Sequence, residues 1–133
     1  RPEAELLADM KIDSEKDIDV AARKLLDMGP KAVLIKGGHF GSASAAEFTD
    51  WLALPDEPLI ALKQPGVKTS NNHGTGCTLS AAIATYLGLG LGIRDAIVHA
   101  QKFLNHCLRH GYAPGLGAGP PNHASWIAKR VGE

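Results

Sequence analysis

The chain has 133 residues, 44% of them hydrophobic and 21% charged, with fourteen basic residues against fourteen acidic ones. That balance, without any Lys/Arg run, gives no electrostatic reason to expect nucleic acid or an anionic membrane as a partner. No apolar stretch approaches the length of a bilayer span, and two cysteines are too few for a disulfide framework, so a reducing cytoplasm is the expected setting.

The opening, "RPEAELL", starts on Arg and runs straight into a helix-start pattern with Pro2 near the first turn. A fragment or a processed piece of a longer protein is therefore expected. Residues 3 to 9 form a first, short helix. "DSEKDIDVAARKLLDMG" predicts a longer one over 14 to 28. Ser14 caps it, Asp17 takes the capping-box position usually held by Glu or Gln, and Gly29 follows its end. Ile18, Ala21, Ala22, Leu25 and Leu26 share one of its faces. "KAVLIK", residues 31 to 36, is a short apolar run closed by Gly37-Gly38 and suits a buried strand of an α/β sheet. "AEFTDWLAL" and "LIALKQP" flank "PDEP", which predicts a β-hairpin with a four-residue turn at 55 to 58. A polar loop over 66 to 73 leads to a helix over 75 to 88, with Leu79, Ala82, Ile83, Tyr86 and Leu87 at helical spacing. Another helix covers 93 to 110 and ends at Gly111, before a Gly/Pro tail with a last helical turn or two. The order is that of α/β material with too few strands for a full doubly wound sheet.

The junction "GTGC", Gly74 to Cys77, carries the chemistry. The first N–H groups of a helix lack intrahelical partners and add to the positive end of its dipole. Two glycines there remove side chains that would block a ligand and permit positive φ. Such a turn is a cradle of backbone donors for a phosphate or a developing oxyanion. A thiol at the same place feels the dipole, which favours its thiolate. A plain glycine turn before a core helix, with Cys77 as a small apolar residue, accounts for these residues equally well. No Walker sequence is present, and Gly88, Gly90 and Gly92 follow a helix rather than a strand, as a C-cap and turn would.

Taken together, "VLIKGGH" (Val33 to His39) and "NNHGTGCTLSAAIA" (Asn71 to Ala84) resemble the hydroxymethylpyrimidine/phosphomethylpyrimidine kinases of thiamine synthesis, in the ribokinase-like superfamily. "RPEA" at the start and "GAGPPNH" at 117 to 123 fit the same family. The resemblance implies a ribokinase-like three-layer α/β/α fold. Residues 1–133 would be the C-terminal portion of a single kinase domain, with an incomplete sheet flanked by helices and the N-terminal substrate-binding half absent. It further implies that Gly74, Thr75 and Gly76 hold the transferring phosphoryl group and that Cys77 activates the substrate hydroxyl. Lys36, with Gly38, would face ATP, and Glu3 would help organise magnesium; His73, by its place beside the turn, is a candidate for nucleotide contact or equally for bracing the loop. ATP and Mg2+ are thus the implied cofactors and a pyrimidine the implied small-molecule partner, with a homodimer expected of the full-length protein. From the residues alone, Lys36 is a strand-end lysine and Glu3 a helix-start glutamate that suits the dipole. One departure stands beside the turn: Asn72 replaces the Thr of the family's N-T-H.

Six histidines raise a metal hypothesis, since His99, His106 and His110 fall on one face of the helix over 93 to 110. No HExxH motif and no Cys-x2-Cys pair accompany them, and a helix face at a domain or subunit boundary is the simpler expectation. Cys107 is expected to be structural. Three functions remain open: a pyrimidine kinase, a pyridoxal or pyridoxine kinase of the same superfamily, and a nucleotide-binding remnant without activity.

Overall fold

The computed structural model describes residues 1–37 and 47–131. They form two compact units, one from Arg1 to Gly66 and one from Val67 onward.

The first unit packs two helices on a three-stranded sheet of order β1-β2-β3. Helix α1 (Pro2–Ala8) starts on a proline, whose missing N–H costs nothing in a first turn, and stops where Asp9 turns left-handed at φ 48°. Helix α2 (Glu15–Asp27) starts with a complete capping box. Asp17 N–H donates to Ser14 Oγ at 3.3 Å, and Ser14 N–H donates to Asp17 Oδ2 at 2.8 Å. Aspartate therefore does the work of the usual glutamate, and its carboxylate also accepts from Asp13 N–H at 3.1 Å. Ile18, Ala21, Ala22 and Leu25 are buried and form one cluster with Ala4, Ala8, Ile12, Ile35 and Ala53. The three- and four-residue spacing on α2 thus became the core face of this unit. Truncating the fully buried Ile18 would cost about 2–5 kcal/mol.

Strands β1 (Val33–Ile35), β2 (Glu47–Ala53) and β3 (Ile60–Pro65) are antiparallel, with Ile35 opposite Trp51 and Trp51 opposite Ala61. The predicted hairpin is present, but its turn is wider than the four residues expected. Pairing closes at Leu52 and Ile60, leaving residues 54–59 as the connection. Pro55 and Pro58 have no N–H to give to a ladder, which pushes the closing pair outward. Arg23 of α2 holds this connection, donating to the Leu54 carbonyl at 2.9 Å and the Glu57 carbonyl at 2.6 Å.

The second unit is helical. Helices α3 (Thr75–Gly88) and α4 (Ile93–Arg109) pack on each other, and α5 (Ala124–Val131) packs on α4. Ala82, Ala96 and Ala100 are buried between longer neighbours and allow close helix approach. The expected core stripe of α3 is corrected at one end: Thr78, Leu79 and Ala82 are buried, but Leu87 is 41% exposed. Helix α3 is apolar almost all round, so spacing alone does not select its inner face. Gly90, at φ 91°, makes the turn after α3. Among the described residues no helix is long and apolar enough to cross a membrane.

Candidate active site

The loop from Asn71 to Gly74 ends on a left-handed glycine. Gly74 is the N-cap of α3 at φ 80°, a conformation L side chains rarely take. Its carbonyl accepts the Thr78 N–H at 2.9 Å and closes the first helical turn around Thr75, Gly76 and Cys77. Thr75 N–H makes a long 3.4 Å bond to the Asn72 carbonyl. The positions of Gly76 and Cys77 leave their N–H groups without an i−4 acceptor, directed out of the helix start. No acidic residue stands in this first turn, so the positive end of the dipole is not offset by the helix's own side chains. Gly76 and Cys77 are both exposed. A Cβ built on Gly76 would meet no atom within 4 Å. Packing therefore does not require glycine there, and the space beside the donors is open.

The turn is fastened to the Gly/Pro tail. His73 N–H donates to the Gly119 carbonyl at 3.2 Å, and Gly119 N–H donates to Asn71 Oδ1 at 3.1 Å. A side chain at Gly119 would collide with the Tyr112 carbonyl oxygen and the Asn71 amide. One turn into α3, Thr78 Oγ1 and His123 Nε2 are hydrogen-bonded at 2.9 Å. The His123 ring stacks on Phe103 of α4, with centroids 6.1 Å apart and planes 12° from parallel. Asn122 N–H donates to the Cys107 carbonyl at 2.9 Å, which anchors the tail at the end of α4. His73 thus braces the loop through its backbone, while its side chain stays exposed.

In the first unit, Glu3 and Lys36 line one open hollow of about 500 Å³, with Leu7, Met28, Val33 and Ile35 among its walls. The Glu3 carboxyl lies below its ordinary range, chiefly because its own helix-start N–H faces it. Gly37 N–H donates to Asp50 Oδ1 at 3.1 Å, which fixes the backbone beside Lys36. Gly38, expected on the ATP side, and His39 lie outside the described residues.

The histidines at and beside the end of α4 contact each other and the protein. His106 and His110 stack at 4.3 Å; His106 Nε2 lies 3.2 Å from the Ser125 carbonyl, and His110 Nδ1 lies 2.9 Å from the His106 carbonyl. His99 meets Tyr86 at 5.4 Å. Among the described residues no group of three His, Cys, Asp or Glu could hold a metal ion. Cys107 is buried, which pushes its thiol up to about 11.

Residues 1–122 match the phosphomethylpyrimidine kinase family. The chain belongs to that family. The hydroxymethylpyrimidine/phosphomethylpyrimidine kinase of Synechococcus elongatus is 44% identical over 125 residues, which are 92% of this chain and 46% of that protein. The kinase of the same description from Haemophilus influenzae is 36% identical over 130 residues, 98% of this chain and 48% of that protein. Among solved structures, the pyridoxal kinase of Staphylococcus aureus in complex with AMP-PCP and pyridoxal superposes with a TM-score of 0.82 at 29% identity, covering 93% of this chain and 45% of that one. The expected ribokinase-like α/β class and phosphomethylpyrimidine kinase family are therefore those observed. The chain spans about half the length of the curated relatives it matches.

Sequence reasoning placed the turn but missed its fastening. Asn71, Thr78 and His123 all stand inside the quoted motifs, yet no periodicity joins residues 45 apart such as Thr78 and His123.

Proposed function

We propose that this phosphomethylpyrimidine kinase chain is the phosphoryl-transfer part of an enzyme that uses ATP to phosphorylate hydroxymethylpyrimidine and then its monophosphate. It would be the C-terminal part of a single ribokinase-like kinase domain. The observation that carries the reading is the start of α3: unoffset N–H donors beside open space at Gly76, with the exposed Cys77 thiol on the same turn. These residues fit a phosphoryl anion. Gly74, Thr75 and Gly76 shape the turn that holds the oxygens of the transferring group, the donors being the Gly76 and Cys77 N–H groups, and removal of one such donor costs about 2.7–4 kcal/mol in the transition state. Cys77 Sγ takes the hydroxyl proton as the substrate oxygen bonds to the γ-phosphorus and the bond to the β-γ bridging oxygen breaks, releasing ADP. Proton transfer from a positioned hydroxyl contributes about 10²- to 10⁴-fold. Lys36, with Gly38 and His73, serves the nucleotide phosphates. Glu3 offers a carboxylate to magnesium, an ion commonly held by one or two carboxylates with the phosphates themselves. Bound magnesium would neutralise charge on those phosphates.

In the intact protein, Cys77→Ala is expected to lower kcat by about 10²-fold or more while nucleotide affinity stays within about threefold. Unchanged turnover would remove Cys77 from the mechanism. The likeness to pyridoxal kinase structures supports a second reading, in which the acceptor is pyridoxal. Side-by-side kcat/KM values for hydroxymethylpyrimidine and pyridoxal decide between them. Nucleotide binding without transfer to either would leave the inactive remnant.

A further inference from the structure

The anion turn does not hold its own shape. Gly74 and Gly76 are the most permissive of residues, and in the polar loop before them the Asn71 side chain is pinned from a distant segment. What stands on the far side is built to close tolerance. Gly119 sits where no side chain fits, between the Tyr112 carbonyl and the Asn71 amide, and it bonds in both directions to the loop. Thr78 is gripped twice: its N–H by the Gly74 carbonyl at 2.9 Å and its buried hydroxyl by His123 at 2.9 Å. The His123 ring is held in turn by Phe103, which stacks on it and meets Trp126 edge-on at 5.6 Å.

From this we infer that Thr78 and His123 are positioning residues for phosphoryl transfer. Acting as one hydrogen-bonded unit with the Asn71–Gly119 clamp, they set the direction of the Gly76 and Cys77 N–H groups and of the Cys77 thiol. Neither touches the reacting atoms. The inference rests on the proposed kinase chemistry for its effect on rate, but not for the existence of the brace. The physical reason is leverage. Thr78 immediately follows Cys77, so a shift of its side chain rotates the first turn of α3, and misplacement by about 1 Å can cost on the order of 10²-fold in rate.

The test is a double-mutant cycle in the intact protein with Thr78→Val and His123→Phe, which keep size and ring but break the bond. Each is expected to lower kcat by about 10- to 100-fold with the nucleotide KM within about threefold. The double variant should be no worse than the poorer single by more than about twofold. Thr78→Ser and His123→Gln, which keep a hydrogen-bonding group, should recover most of the loss, and they serve where the first pair folds poorly. A second readout needs no substrate: the rate of Cys77 alkylation by iodoacetamide, followed on its own peptide by mass spectrometry. Both bond-breaking variants should change that rate by the same factor, and the double variant by no more. Wild-type kcat with only a lowered melting temperature would overturn the inference, as would losses that multiply in the double variant. If the wild-type protein transfers no phosphate to hydroxymethylpyrimidine or to pyridoxal, the kinase reading fails and the alkylation arm decides the brace. A coupled change upholds it, and wild-type labelling in both variants overturns it.

Discussion

Gly76 and Gly119 lack a side chain for opposite reasons. At Gly119 the protein itself occupies the space, so Gly119→Ala must displace the Tyr112 backbone or break the Asn71 amide bond. At Gly76 no protein atom lies near the missing Cβ, and alanine is a better helix former than glycine by up to about 1 kcal/mol. Gly76→Ala is therefore expected to leave the melting temperature equal or slightly raised while lowering kcat/KM for nucleotide at least about tenfold. Calorimetry and steady-state kinetics on the same sample check both halves. A gain in stability with full activity would show that no ligand uses that space.

Among the elements, α2 shows how far local chemistry carries. Its start, stop and buried stripe follow from Ser14, Asp17, Gly29 and the Ile18–Leu25 spacing, and all are observed. Ser14→Ala should cost about 1 kcal/mol at neutral pH, read by thermal melting. The Asp17 carboxyl is held below its ordinary range, first by the Ser14 hydroxyl and next by the Asp13 N–H. A depressed folded value means the contribution is complete above the ordinary carboxylate pKa of about 4 and fades as pH falls through the folded value. The Ser14→Ala deficit should therefore shrink between pH 7 and pH 3, and a deficit independent of pH would contradict the reciprocal cap. Helix α3 marks where legibility stops. Its bounds were readable from Gly74 and Gly88 and most of its stripe from Leu79, Ala82, Ile83 and Tyr86, but the exposure of Leu87 at its far end was not. The hairpin strands were likewise readable, and so were Pro55 and Pro58 that widen the turn, but Arg23 reaching across from α2 to hold it was not. The site divides the same way: Gly74 to Cys77 announce themselves locally, whereas Asn71–Gly119 and Thr78–His123 exist only once the chain has folded back.

For the molecule as a whole, the two cysteines form a built-in pair of reporters. Cys77 is exposed at a helix start, while Cys107 is fully buried in α4 with its thiol pushed up to about 11. At pH 8, iodoacetamide should label Cys77 in the folded protein and reach Cys107 only as the second unit opens, so Cys107 labelling tracks the stability of that unit. Equal rates at the two sites under native conditions would contradict this packing. The chain also spans about half the length of its curated relatives.

The link between Thr78 and His123 spans 45 residues of sequence, and that gives the turn a place in time as well as in space. A ribosome adding about 5–20 residues per second needs roughly 2–9 s to go from one to the other. During that interval the nascent chain carries the whole Gly74–Cys77 turn without His123, the partner proposed to shape it. On the proposed reading, nascent chains halted anywhere in the interval would hold the glycine loop and the thiol without their brace, so the turn would take its working shape only once His123 has been added.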